Sequence, residues 1–373
     1  MADLRFADFN FSATQDDFKG EHREAEEVRL LIVDANHGTI QEDSFVNLGH
    51  YLGDNDVLAV NDVGMGPSRL LGVTGVSHSI DLCFLMLQDP SRSNRLWDVV
   101  ILSETPPPTQ GSFSLNNGAI TGRLLGKTLD FDGPYWIEKD KYIGYRGLVE
   151  IDQDPNQLAN QLNNHGLLMH PWYSDLNKLP TRSLNPHTTT INNAVHVSEP
   201  ARRITSDMYK SFYARGMTEL QFSLWMCFSW RQATADTRLN EYKMNFEEYT
   251  IGETGSSILQ DAMHNRRNIV SIGTSGSRVL ESLASPRAAN AERTDLFISP
   301  GFEFKYTRSL LTNLHNPSGT HVIMAAAYGG RDLIIEACEV AVQKRMKFGI
   351  HGDSMLVLGA HEPSAWNRHE QGK

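Results

Sequence analysis

The stretch LLTNLHNPSGTHVIMAAAYGGRDLIIEACEVAVQKRMKFGIHGDSMLVLG, residues 310–359, alternates apolar runs with polar turns. A polar cluster at 312–318 precedes an apolar run that predicts a buried strand over residues 321–327. Two glycines then predict a turn into a helix from Arg331 to about Lys347. A strand, a glycine turn and a helix in succession are typical of an α/β domain.

The same succession of apolar runs, turn signals and helical segments recurs upstream of this stretch. The apolar runs that predict buried strands lie at 28–35, 56–63 and 269–272, and strict alternation predicts a strand at 219–230. The segments that predict helices lie at 156–166, 204–216, 256–268 and after the glycine turn at 273–278. For the second helix, Thr205 or Ser206 is the expected cap and Gly216 the expected stop.

Residues 67–151 have a different pattern, with short apolar pieces between turn signals such as Asn117-Gly118 and without a helical period. This pattern is typical of a small all-β unit, which we expect to be a barrel. We therefore predict an α/β main domain at 1–66 and 152–373, with a barrel-like mixed sheet and flanking helices, and an inserted β-barrel domain at 67–151. The polar, proline-punctuated segment at 170–193 is either an active-site lid or a disordered loop.

The bulk composition excludes several classes of protein. The 373 residues carry a net charge of −11, with 40% hydrophobic and 21% charged side chains and three cysteines. The N-terminus has no signal-peptide pattern and no apolar run is long enough to span a membrane, so we expect a cytoplasmic protein without membrane contact. The acidic balance disfavours non-specific coating of nucleic acid, although basic clusters at 201–215 and 264–268 leave room for a local tRNA contact.

Motif spacing alone indicates little about which binding or catalytic site the protein has. GTSGSR at 273–278 suits an anion at a helix N-terminus, but a purely structural glycine turn explains it as well. The 14 histidines show no HExxH spacing, and no paired Cys-x-x-Cys occurs, so we expect no metal site. These observations predict only a soluble two-domain α/β protein.

Several ordered motifs resemble those of the S-adenosylmethionine:tRNA ribosyltransferase-isomerase family of queuosine biosynthesis. TNLHNPSGT, YGGRD and GDSML resemble the family's Thr-Asn-Phe-His-x-Pro-x-Ser-Thr, Ala-Gly-Arg-Glu and Gly-Asp-Ala-Met-Leu, in the same order. Upstream, DVLAVNDVGMGPSRLLG, IGTSGSRVLES and TDLFISPGFEFK also resemble family motifs. The resemblance covers most of the chain and supports the predicted fold.

The chain departs from the family pattern in its central part. Val63-Gly64 stands where the family has Thr-Arg, and HVSEPARRITSDM (196–208) stands where an Ala-Pro-Thr-Ala-Gly-Leu-His-Phe motif is expected. LQFSLW (220–225) stands in place of a Leu-His-Val-Gly strand, and only Met244 and Glu247 remain of a His-x-Met-His-Ser-Glu element. The resemblance therefore implies a divergent paralogue.

The resemblance implies a reaction that uses the ribosyl part of S-adenosylmethionine and releases adenine and methionine. In the family, the acceptor is the aminomethyl group of a 7-deazaguanine base in tRNA. The departures favour a different acceptor, such as a small molecule. A genuine tRNA enzyme and a non-catalytic nucleoside-binding relative are the alternatives. S-adenosylmethionine is expected as co-substrate, with no tightly bound cofactor.

The donor's sulfonium acidifies the neighbouring C5′ proton, so a base within hydrogen-bond reach is required. The catalytic residues that the resemblance implies are His315, Asp62 and Glu247. The substrate-binding residues that it implies are Asn61, Arg69, Thr274, Ser275, Arg278, Asp295, Thr312, Asn313 and Tyr328. For Asn313 and His315, the alternative is that both only satisfy buried backbone groups.

Overall fold

The computed structural model describes residues 3–18, 23–75, 78–87, 95–103, 108, 110–127, 136–138, 142–167, 190–192, 198–226, 233–244, 246–284, 293–359 and 361–362. The strands in these residues are β1 (Arg29–Asp34), β2 (Thr39–Ser44), β3 (Val57–Asn61), β4 (Val63–Met65), β5 (Arg69–Thr74), β6 (His78–Leu87), β7 (Leu96–Ser103), β8 (Gly111–Leu115), β9 (Ile120–Lys127), β10 (Trp136–Glu138), β11 (Tyr142–Ile151), β12 (Thr190–Asn192), β13 (Thr218–Leu224), β14 (Glu247–Thr250), β15 (Ile269–Ile272), β16 (Arg293–Thr294), β17 (Ser309–Asn313) and β18 (Ser354–Leu358). The α-helices are α1 (Pro155–His165), α2 (Glu199–Arg203), α3 (Ser206–Ala214), α4 (Glu253–His264), α5 (Thr274–Leu283), α6 (Thr320–Gly329) and α7 (Arg331–Gln343).

A nine-stranded mixed sheet forms the main domain, in the order β16-β14-β13-β3-β15-β17-β18-β1-β2. Its central strands are apolar at nearly every position because both faces are covered. In β1, Leu31 and Val33 pack into a cluster with α6 and α7. Leu30 and Ile32 point to the opposite face, where they pack with α3. The continuous apolar runs in the sequence are therefore the strands of a sheet that is buried on both faces.

The β-rich segment forms a closed barrel. Strands β11, β7, β6, β5, β8 and β9 pair in that order, β9 pairs back to β11, and β10 extends the edge at β11. Leu158 and Leu162 of α1 pack with its apolar interior. The predicted fold class, an α/β domain with an inserted β-barrel, is confirmed, while the exact domain bounds stay a prediction.

The strand predicted at 321–327 is wrong. Residues Thr320–Gly329 form α6, and the buried strand lies earlier, at β17. A short apolar run suits a buried helix as well as a buried strand, and three consecutive alanines from Ala325 favour the helix. Seven residues of α6 are buried, which explains why the run has no polar face.

The other predicted elements are present with shifted ends. Helices α1, α3, α4 and α5 lie where the sequence predicts them, and Thr205 caps α3 by accepting a hydrogen bond from the Met208 N–H at 3.3 Å. The alternating strand is β13, which ends at Leu224, and residues 227–230 lie outside the described part of the chain. Helix α7 ends at Gln343 rather than near Lys347.

The predicted lid at 170–193 lies almost entirely outside the described residues. Its part at 190–192 is β12, which pairs in parallel with β4. None of the helices in the described ranges is long and apolar enough to cross a membrane.

Candidate active site

A cavity of about 150 Å³ opens at the carboxyl ends of β15 and β17. Strands β3, β15 and β17 are neighbours and parallel, so their carboxyl ends meet at one edge of the sheet, the usual place for a ligand in an α/β protein. The residues that line the cavity are Ser198, Glu199, Pro200, Met226, Gly273, Thr274, Ser275, Thr312, Asn313, His315, His321 and Ile350.

The N-terminus of α5 forms one wall of this cavity. Gly273 precedes the helix with φ of 89°, a backbone conformation that side chains other than glycine rarely adopt. Within the described structure, no side-chain hydrogen bond caps this end of the helix. The hydroxyl of Ser275 is buried and has no hydrogen-bond partner among the described residues. The wall therefore offers helix N–H groups and a hydroxyl to a ligand.

A pair of stacked imidazoles also lines the cavity. The ring centroids of His315 and His321 lie 4.2 Å apart with an interplanar angle of 17°. Nε2 of His315 lies 2.8 Å from Oγ1 of Thr312. Burial lowers the pKa of His315 well below its ordinary value, and His321 lowers it further. Burial, with a smaller contribution from Arg278, lowers the pKa of His321 to about 4. Both rings are therefore neutral at pH 7.

We expect the free energy of unfolding to fall as the pH decreases from 6.5 to about 4 because His321 protonates only in the unfolded chain over that interval. The folded pKa is about 4 and the ordinary value 6.5, so the unfolded state binds the extra proton and acid destabilises the fold. The loss for this half-buried ring is of the order of 2 kcal/mol. Urea unfolding at pH 7.5 and 4.5 should show a smaller acid loss in His321→Gln than in the unaltered chain. An equal loss in both would contradict the assignment.

Asn313 lines the cavity, but its amide is engaged by the protein. It donates to the carbonyl oxygens of Gly349, at 3.2 Å, and Ile350, at 2.8 Å. Its oxygen accepts a hydrogen bond of 3.3 Å from the buried guanidinium of Arg203, which also reaches Ser354 at 3.2 Å. These contacts match the alternative that Asn313 satisfies buried groups and shapes the wall.

Asn61 ends β3 and Asp62 follows it at the same sheet edge, but neither lines the cavity. Asn61 donates to the Leu224 carbonyl at 2.9 Å and accepts from the Leu224 N–H at 3.0 Å. Asp62 accepts a hydrogen bond of 2.6 Å from the Ser223 hydroxyl. These contacts bind β3 to the end of β13, and a direct role for either residue in the reaction stays a prediction.

Glu247 and Arg278 form a buried ion pair outside the cavity lining. The guanidinium also donates to the carbonyl oxygens of Leu296 and Thr294, each at 3.1 Å. Arg278 thereby joins α5 to β14 and β16. The catalytic role of Glu247 and the binding role of Arg278 stay predictions, and their described contacts are those of a structural pair.

Three further predicted residues lie away from the cavity lining. Tyr328 is buried, with its hydroxyl 2.8 Å from that of Ser277 and 2.6 Å from that of Thr307. Burial raises its pKa far above the ordinary value. Arg69 belongs to the barrel strand β5, and Asp295 is exposed. Their role in substrate binding stays a prediction.

Sequence reasoning found five of the lining residues and missed others. Thr274, Ser275, Thr312, Asn313 and His315 were predicted and lie together in the cavity. Gly273 begins the GTSGSR turn that was considered for an anion but was not named as a site residue, and the residues missed altogether are Ser198, Glu199, Pro200, Met226, His321 and Ile350. Within the described ranges, no group of three His, Cys, Asp or Glu side chains could hold a metal ion.

The sequence profile of the family described as queuosine biosynthesis protein matches residues 6–357 of the chain. The chain belongs to this family. An S-adenosylmethionine:tRNA ribosyltransferase-isomerase from Carboxydothermus hydrogenoformans is 27% identical to it over 336 residues, covering 89% of this chain and 93% of the relative. A protein of the same name from Acetivibrio thermocellus is 24% identical, covering 95% of this chain and 100% of the relative.

The fold of this family member is also found in a solved structure. The S-adenosylmethionine tRNA ribosyltransferase from Thermotoga maritima is 20% identical, with a TM-score of 0.50, and the match covers 94% of this chain and 100% of that one. The family is one of transferase and isomerase enzymes whose co-substrate is S-adenosylmethionine.

Retained and altered family motifs meet in one cavity of this member of the queuosine biosynthesis protein family. Gly273–Ser275 and Thr312–His315 come from segments that resemble the family pattern. Ser198–Pro200 and Met226 lie within or directly after segments that depart from it. Residues from segments that resemble the family pattern and residues from segments that depart from it therefore line the same cavity.

Proposed function

We propose that the chain binds S-adenosylmethionine in this cavity and transfers its ribosyl part to an acceptor, with release of adenine and methionine. The observation that carries the proposal is the convergence of the retained motifs on one cavity that also holds a neutral imidazole, His315. A neutral imidazole is a base at pH 7, and the donor's sulfonium supplies an acidified C–H next to it.

In this proposal, His315 is the base that removes the C5′ proton. When Nε2–H of His315 donates to Thr312, 2.8 Å away, the lone pair of Nδ1 is available as the base. The proton then moves from C5′ to Nδ1, and the electron pair stays on C5′, where the adjacent sulfonium stabilises it. Stacking against His321 at 4.2 Å holds the ring in place. Adenine and methionine leave in later steps.

The acceptor is where we propose that the chain differs from its relatives, as a divergent paralogue. The altered segment contributes a buried Phe222, a Ser223 hydroxyl bound to Asp62, and Met226 in the cavity wall. A pocket fitted to a flipped-out deazaguanine tolerates added volume poorly. We therefore favour an acceptor smaller than tRNA. The names of the relatives favour tRNA carrying the aminomethyl-deazaguanine, which is the second candidate.

The test is mass spectrometry of S-adenosylmethionine turnover in three arms. The protein is incubated with the donor alone, with free aminomethyl-deazaguanine, and with tRNA that carries this base. Adenine and methionine should appear in an arm without tRNA, and isothermal titration should show donor binding. Formation of epoxyqueuosine in the tRNA would overturn the altered acceptor and leave the donor chemistry standing. Absence of donor binding and of adenine release in every arm would overturn the function itself.

A further inference from the structure

The N-terminus of α5 has the features of a subsite for one negatively charged group. Ser275 is 3% exposed, its hydroxyl has no partner in the described part of the structure, and it lines the cavity. A Cβ built on Gly273 would lie 3.5 Å from this hydroxyl, so Ser275 Oγ lies next to the start of the helix. A buried hydroxyl without a partner costs free energy that a ligand oxygen would recover. The ten-residue helix adds the partial positive charge of its N-terminus.

A carboxylate of the protein lines the same cavity. Glu199 is buried and forms an ion pair with Arg202 at 3.0 Å, in which both described hydrogen bonds from Arg202 go to the same oxygen, Oε2. A phosphate or a nucleic-acid backbone placed here would bring negative charge into a cavity that already holds this carboxylate. A zwitterion carries a cation for Glu199 and an anion for the helix. The charge pattern therefore favours the amino-acid end of a ligand.

We infer that the amino-acid end of the donor binds at this wall, which extends the proposed function and rests on it. The methionyl carboxylate accepts hydrogen bonds from the Ser275 hydroxyl and from N–H groups at the start of α5. The ammonium and sulfonium groups face Glu199. The adenosyl part then extends toward His315 and His321, which places C5′ between the sulfonium and the base.

Two thioether nucleosides, which lack the sulfonium charge and differ in the amino-acid end, test this orientation. S-adenosylhomocysteine carries the carboxylate and ammonium, whereas 5′-methylthioadenosine has the same thioether and nucleoside without them. Isothermal titration of both ligands should show that Ser275→Ala weakens S-adenosylhomocysteine about tenfold or more, since a hydrogen bond to a charged group is lost. Binding of 5′-methylthioadenosine should stay within about twofold.

Ser282→Ala is the matched control because Ser282 lies at the other end of α5 and outside the cavity lining. Its binding of both ligands should equal that of the unaltered chain, and melting temperatures verify that each variant is folded. Equal weakening of both ligands by Ser275→Ala, or no weakening, would overturn the subsite while the donor site stands. Ser275-dependent binding of inorganic phosphate, with unchanged S-adenosylhomocysteine affinity, would assign the wall to a phosphate instead. If neither nucleoside binds the unaltered chain although S-adenosylmethionine does, the subsite alone is overturned. If S-adenosylmethionine also fails to bind and releases no adenine, the proposed function is overturned as well.

Discussion

Replacing His315 by glutamine is expected to lower the rate of S-adenosylmethionine turnover by a factor of about 10² to 10⁴. This range is the usual contribution of a positioned general base. The base here is an imidazole that burial keeps neutral, and it lies 2.8 Å from Thr312 and stacked on His321. Glutamine keeps a polar group near Thr312 but has no basic nitrogen. Adenine release measured under conditions that give turnover in the unaltered chain checks the prediction.

The stability of the His315 variant separates catalysis from structure. Loss of one hydrogen bond and one ring contact should lower the free energy of unfolding by only about 1 kcal/mol. His361→Gln is the matched control, since it removes a half-buried imidazole that lies outside the cavity lining. It should keep most of the turnover. A strongly destabilised His315→Gln that retains activity per folded molecule would show that His315 only supports the loop.

The fold could be predicted from sequence where the pattern was long and unambiguous. Both faces of the main sheet are covered, so its strands are short apolar runs, and such runs identify buried elements without specifying their type. The run at 321–327 shows the consequence, because it forms α6. Because this run was predicted to be a strand, the sequence did not indicate that His321 lies beside His315. A residue in the first turn of a helix lies over the loop before it, whereas a strand would carry it away from His315.

The half of the cavity that came from retained motifs could be predicted, and the other half could not. Thr274 follows β15 and Thr312 lies near the end of the neighbouring strand β17, so a motif at the end of each strand indicates a shared edge. Met226 follows β13, which is separated from β15 by β3. This sheet order depends on long-range pairing that local sequence does not encode. Glu199 lies in a five-residue helix with no periodic signal of its own.

Replacing Arg278 by methionine is expected to lower the free energy of unfolding by about 3–5 kcal/mol. The change leaves the buried carboxylate of Glu247 without its partner, and breaking a buried pair from one side costs this much. It also leaves the carbonyl oxygens of Thr294 and Leu296 without the hydrogen bonds that Arg278 donates. Urea unfolding of the unaltered chain and of Arg278→Met measures the loss.

The double variant decides whether Glu247 is structural or catalytic. Because removing both partners leaves no unpaired buried charge, Glu247→Leu combined with Arg278→Met should unfold at a higher urea concentration than Arg278→Met alone. The single change Glu247→Gln tests the catalytic role that the family resemblance implies. A structural carboxylate predicts a loss of stability with turnover per folded molecule within a few-fold of the unaltered chain. Unchanged stability with a hundredfold loss of turnover would instead place Glu247 in the chemistry, since a removed catalytic group lowers the rate without unfolding the protein.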